Sequence, residues 1–268
     1  MVNFENKDRY DVYDLKKIVS ILRAPGGCPW DAEQTHESIR RNLLEEAFEA
    51  VEAIDENDPV HLCEELGDVL MQVIFHSDIE ADAGRFDLND VADMSVRKLL
   101  NRHPHVFGDL IVSGSGEVID NWDVIKRAEK NHETTADALD AVAKSLPGLW
   151  RAEKMQKKAS KVGFDWPDIT GPLDKLSEEL RELTDAVGQN GDTAGELGDV
   201  LFSAVNVARF LQIDPDDALQ GACDKFSRRF RHLETAARDS GKELGALSPE
   251  EMDKLYTHVK EALEKKYE

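Results

Sequence analysis

The string Glu-Leu-Gly-Asp-Val-Leu stands twice in this chain, at Glu65 to Leu70 and at Glu196 to Leu201, and each copy follows a Glu-Glu-x-x-Glu string. The upstream partners are Glu45, Glu46 and Glu49 for the first copy and Glu178, Glu179 and Glu182 for the second. Positions three apart on an α-helix share a face. Two neighbouring antiparallel helices would therefore aim Glu46, Glu49, Glu65 and Asp68 at one point, and Glu179, Glu182, Glu196 and Asp199 at another. Carboxylates that close repel unless a cation sits among them. Oxygen-only ligation without His or Cys favours a hard ion, Mg²⁺ or else Mn²⁺, over zinc or copper.

A single E-x-x-E string in so acidic a chain is ordinarily a solvated helix face. A solvated face has no reason to repeat the same carboxylates, the same glycine and the same apolar residues in order, so the recurrence reads as a duplicated metal site. Gly67 and Gly198 support this. Glycine inside a helix costs about 1 kcal/mol relative to Ala and implies close approach of another backbone or a ligand.

The 268 residues suit two compact domains, taken as 1–135 and 136–268. Helical periodicity dominates, so the fold class is all-α. Helices are predicted over about Asp11 to Leu22, Glu37 to Glu56, Val60 to Ala83 and Asp87 to Asn101, with a loop at Val112 to Gly116 and a closing helix from Glu117 to His132. The second half repeats the plan. Gly171-Pro172 opens a helix to Val187, Gly188 to Gly191 turns, Thr193 to Leu211 returns, and Pro215 starts a long helix. Ser248 is a good N-cap for the last helix, with Pro249 at its first position.

A net charge of −22 argues against duplex nucleic acid or an anionic membrane surface as partner, since both are bound through basic patches. Cys28, Cys63 and Cys223 are odd in number, far apart and outside any C-x-x-C pair, which fits reduced thiols and argues against zinc and disulfides. The N-terminus has no apolar signal core and no stretch reaches membrane-span length, so a soluble cytoplasmic protein is expected.

The halves match beyond the carboxylates. Lys98 and Arg102 on the third helix of the first half answer to Lys225 and Arg229 in the second, and Trp122 and Lys126 answer to Tyr256 and Lys260. Individually such cations are surface charges and such aromatics core. As an ordered set they are the parts needed to hold the metal, phosphate chain and base of a nucleotide. A Walker-type phosphate loop is absent, because Gly26-Gly27 lacks the Gly-Lys-Ser/Thr ending.

These residues resemble the MazG family of nucleoside triphosphate pyrophosphohydrolases. The resemblance extends over nearly the whole chain, through Cys28-Pro29-Trp30-Asp31, Gln34-Thr35-His36, Gly84-Arg85-Phe86, Arg102 to Phe107, and Val162-Gly163-Phe164-Asp165-Trp166. It implies two tandem MazG-like modules, bundles completed by homodimerisation, and Mg²⁺-dependent cleavage of nucleoside triphosphates to the monophosphate and pyrophosphate. Carried over by residue, it makes Glu179, Glu182, Glu196 and Asp199 the magnesium ligands of the second module, with Lys175, Lys225, Arg229 and Tyr256 as substrate contacts. In the first module the same logic names Glu46, Glu49, Glu65, Asp68, Lys98, Arg102 and Trp122. Asn42 replaces the Lys175 counterpart there, and Phe75 stands where the second module has Asn206, so catalysis is expected in the second module.

The expected reaction is in-line attack of a metal-activated water on the α-phosphorus, with Glu178 or Glu179 accepting the proton. A di-iron carboxylate bundle is the rival enzyme class, because Glu33 to His36 and Glu129 to His132 have Glu-x-x-His spacing. His103 and His105, flanking Pro104, read as packing residues. The alternative outside catalysis is a nucleotide-binding or regulatory helical module.

Overall fold

The computed structural model describes residues 4–129 and 134–264. The chain divides into two compact units, Met1–Glu129 and Lys130–Glu268. Among the described residues every regular element is helical, as the periodicity predicts, and no helix is long and apolar enough to cross a membrane.

The first unit contains α1 (Val12–Arg23), a short α2 (Pro29–Ala32), α3 (His36–Asp55), α4 (Pro59–Asp82), α5 (Leu88–Arg102), a short α6 (Pro104–Phe107) and α7 (Ser115–Glu129). Local chemistry starts the long helices. Asp11, Thr35 and Asp87 close reciprocal capping boxes with Asp14, Ser38 and Asp90, while Asp58 accepts the N–H groups of Val60 and His61 behind Pro59. Asn57 adopts the left-handed conformation (φ 55°) at the turn between α3 and α4. These two helices pair along their length, and α1 packs on α4. Their core is Val19, Ile39, Ile74 and Phe75, flanked by Leu15, Met71, Ile79 and Leu88. Burying one large apolar side chain there stabilises the unit by about 1.5–3 kcal/mol.

The second unit contains α8 (Thr135–Asp140), α9 (Gly148–Ser160), α10 (Thr170–Gln189), α11 (Thr193–Leu211), α12 (Pro215–Asp239), a 3₁₀ turn (Leu244–Ala246) and α13 (Pro249–Glu264). Asn190, at φ 59°, ends α10, and Asp192 caps α11, so α10 and α11 pair as α3 and α4 do. Ser248 caps α13 as predicted, exchanging hydrogen bonds with Glu251. Helix α9 is absent from the sequence expectation. It packs on α11 much as α1 packs on α4, but its buried residue is the polar Gln156, which leaves little apolar periodicity to read.

The helix predicted from Glu117 to His132 is described as far as Glu129, and its predicted end at His132 lies outside the described residues. One expectation changes. Gly67 and Gly198 are not sites of close approach within the chain, because a Cβ at either would meet nothing within 4 Å.

Candidate metal and nucleotide site

Helices α10 and α11 bring one carboxylate oxygen each from Glu179, Glu196 and Asp199 to within 4.8 Å of one another. In the first unit α3 and α4 do the same with Glu46, Glu49 and Glu65. Each unit thus gathers three of its four expected ligands. The fourth stays electrostatically close: Glu182 is pushed up by burial and then by repulsion from Glu179, and Asp68 follows burial among the causes that raise Glu46.

The donor set fits a hard divalent cation. Burial and neighbouring negative charge raise Glu46, Glu65 and Glu182, so the groups are under-neutralised as they stand. Glu65 Oε1 meets His61 Nε2 at 3.1 Å, while its buried Oε2 has no partner among the described residues. A buried carboxylate oxygen without a partner, set among further carboxylates, is a ligand that Mg²⁺ or Mn²⁺ takes.

Lys175, one turn before Glu179, lies 2.7 Å from that carboxylate and 3.0 Å from Glu178. Its hydrogen bonds to Glu179 and then Glu178 raise its pKa, so the ammonium is held charged. Glu178 itself is exposed and outside the three-oxygen cluster.

A cavity of about 410 Å³ adjoins these groups, and Lys175, Glu179 and Asp199 belong to its wall. The rest is mainly apolar, with Leu139, Met155, Phe164, Trp166, Pro172 and Phe202, and with Gln156, Ser203, Asn206 and Arg209 as polar members. Trp166 sits against Gly171 at the start of α10, where any Cβ would collide with the indole ring. Asp165 is held by Arg209 through both guanidinium Nη atoms at 2.8 and 2.6 Å. Arg209 Nε donates to Asn206 Oδ1 at 2.9 Å. Spacing within the repeat points to Asn206 as a site residue but not to Gln156, Trp166, Phe202 or Arg209. Trp166 was the readable signal, an aromatic in a Gly-containing segment just ahead of the first carboxylate helix.

Lys225 and Arg229 lie on α12 and Tyr256 on α13, where its ring is 6.3 Å from that of Phe226, and none of the three lines the cavity. In the first unit Lys98 is exposed on α5. Arg102 pairs with Glu129, its Nε at 3.0 Å. Trp122 meets His103 edge-on at 4.9 Å with Lys126 Nζ 5.5 Å from its ring centre, and its indole N–H has no partner among the described residues.

His36, from the first Glu-x-x-His string, is spent on hydrogen bonding, to Glu80 through Nε2 and to His76 Nδ1 at 2.7 Å through Nδ1. The two units also differ behind their carboxylates. Phe75 is 7% exposed in the first core with the Arg23 guanidinium 5.5 Å from its ring centre, whereas Asn206 borders the cavity in the second.

Comparison with known proteins accounts for the repeat. The MazG nucleotide pyrophosphohydrolase domain matches residues 34–107 and again 171–234, so each match contains one carboxylate set. The Bacillus subtilis protein YabN is 47% identical over 250 residues, 92% of this chain and 51% of YabN, so the chain spans about half the length of that relative. The nucleoside triphosphate pyrophosphohydrolase/pyrophosphatase MazG of Thermotoga maritima is 41% identical over 92% of this chain and 94% of its own length. The nucleoside triphosphate pyrophosphohydrolase of Escherichia coli K12 is 41% identical over 92% and 95%. With two family domains, each centred on a paired carboxylate hairpin, this chain belongs to the MazG nucleotide pyrophosphohydrolase family.

Proposed function

We propose that this chain is a nucleoside triphosphate pyrophosphohydrolase, cleaving a triphosphate to the monophosphate and pyrophosphate, and that its second module carries the activity. The observation behind the assignment is that Glu179 and Asp199 belong both to the three-carboxylate cluster and to the wall of the aromatic cavity. That adjacency suits a ligand with a metal-bound phosphate chain at one end and a flat base at the other. The names of the Thermotoga and Escherichia relatives support the same reaction class.

Glu179, Glu196 and Asp199, with Glu182 beside them, would hold the cation. Mg²⁺ bound there would neutralise phosphate charge and lower the pKa of a coordinated water. Lys175 supplies a fixed positive charge to phosphate oxygens. When a phosphate oxygen takes Lys175 from Glu178, that exposed carboxylate is released to accept a proton from the attacking water. Trp166 and Phe202 offer faces to the base.

A homodimer completes the picture. Leu180, Leu197 and Leu201 are about half exposed on the carboxylate helices, and the open space over Gly198 leaves room for close approach of a second copy. Such a copy is the source from which Lys225, Arg229 and Tyr256 would reach the phosphate chain and base. The first module, with Phe75 and Val19 filling its interior, suits a structural or regulatory role, in which Lys98, Arg102 and Trp122 need not touch substrate. Reduced cysteines and an acidic surface fit a cytoplasmic enzyme.

The test is pyrophosphate release from a panel of triphosphates with Mg²⁺. Glu196→Gln should lower turnover at least about 100-fold, and Glu65→Gln should change it less than about threefold. Loss confined to Glu65→Gln would move catalysis to the first module. No release by the intact protein would leave a nucleotide-binding module.

A further inference from the structure

Two amides in the second unit are fixed in opposite senses beside the cavity. Gln156 Nε2 donates to the Phe202 carbonyl at 2.8 Å. A carbonyl only accepts, so the NH₂ group must face it and Oε1 is left as an acceptor. That oxygen is buried and has no hydrogen-bond partner among the described residues, on a residue only 6% exposed. Asn206 is set the other way. Arg209 only donates, so the amide oxygen must face its Nε, and Asn206 Nδ2 remains a donor. Arg209 cannot swing away easily, because Asp165 holds its other nitrogens.

An orphaned acceptor costs about 1–3 kcal/mol unless a partner arrives. A purely stacking pocket has no use for it. We propose that Gln156 Oε1 and Asn206 Nδ2 read the edge of the substrate base: every base carries an N–H donor beside an acceptor, but at a different place on its ring, so the enzyme selects the base whose pair falls in register with these two atoms, with Arg209 as the positioning residue that fixes the Asn206 amide. This rests on the nucleotide reading given above. It adds that the cavity discriminates by hydrogen bonding rather than by shape and stacking alone. A site built to pair with an N–H rejects analogues lacking it far more strongly than an apolar pocket rejects a change of size.

The test compares kcat/KM for ATP, GTP, CTP and UTP and for inorganic tripolyphosphate, using the full chain with Mg²⁺. Nucleotide affinities are measured by calorimetry in parallel. Intact protein should separate its best and worst bases by about tenfold or more. Gln156→Met, close to isosteric, should compress that spread to about threefold, mostly through KM for the favoured base. Arg209→Met should compress it as well, through release of the Asn206 amide. Equal use of all four bases by intact protein, or a spread that survives in both variants, would overturn the proposal. If no triphosphate were turned over, the catalytic reading would fail by itself. Base-dependent affinities lost in Gln156→Met would still support the edge-reading pair, and base-independent affinities would sink it.

Discussion

Arg209 grips both carboxylate oxygens of Asp165, at 2.8 and 2.6 Å, and so ties the last turn of the second carboxylate helix to the segment that carries Trp166. The pair is largely buried, with side-chain exposures of 13% and 24%. Arg209→Met should lower the stability of the second unit by about 2 kcal/mol, as charged hydrogen bonds of this kind contribute. Urea unfolding would measure it. A change below about 0.5 kcal/mol would mean that solvent replaces the pair without loss. Arg209 holds the Asp165 carboxyl below its usual 3.8, so the stabilisation is full above that pH and is lost as pH falls through the lowered value.

Glu80 makes the first unit acid-sensitive in its own range. Arg85 first, through Nε and Nη2, and then His36 hold this carboxyl down to about 2 against an ordinary 4.5. A depressed carboxyl contributes stability that is complete above the unfolded value. That contribution should drain away as pH falls from 4.5 towards 2. Amide exchange in α3 and α4, followed against pH, should show protection falling over this window in the native chain. Glu80→Gln should flatten the dependence; an unchanged profile would exclude Glu80 as its source.

Phe75 and Asn206 occupy matching places in the repeat and should respond differently to substitution. Phe75→Asn places an amide in a packed apolar core and should cost about 3 kcal/mol or more. Asn206→Leu removes a polar group from a cavity wall. It also takes the acceptor from Arg209 Nε, so it should cost about 1 kcal/mol, well below the Phe75→Asn loss, while lowering nucleotide affinity at least about tenfold. Thermal unfolding and calorimetry on both variants check the contrast. Destabilisation by Asn206→Leu comparable to that of Phe75→Asn would show the second position to be structural.

Cation binding should stabilise the second unit by relieving repulsion among Glu179, Glu182, Glu196 and Asp199. At about 100 times its dissociation constant, Mg²⁺ should add about 2.7 kcal/mol. Chelator should reverse the gain, and Glu196→Gln should abolish it. A gain in Glu196→Gln equal to that of the native chain would place the ion elsewhere.

Helical spacing and the duplicated string made the carboxylate hairpins legible. Turn residues such as Asn57-Asp58-Pro59 and Ser248-Pro249 placed the helix starts, because capping is chemistry between near neighbours. The cavity was not legible. Its wall draws on α8, α9, the Trp166 segment, α10 and α11, and no periodicity connects residues so far apart in the chain. Gln156 in particular looks like one polar residue among the lysines of α9, and its isolation is a property of its burial beside Phe202.

By itself, the sequence determined the helical class, the twofold repeat and which carboxylates share a helix face, since these depend on spacing of a few residues along one helix. Tertiary structure decided which three oxygens converge in each unit, that Phe75 is packed where Asn206 borders a cavity, and that Arg209 is committed to Asp165. Those outcomes follow from how helices distant in sequence pack, where a shift of one side chain decides between a filled core and a space able to receive a ligand.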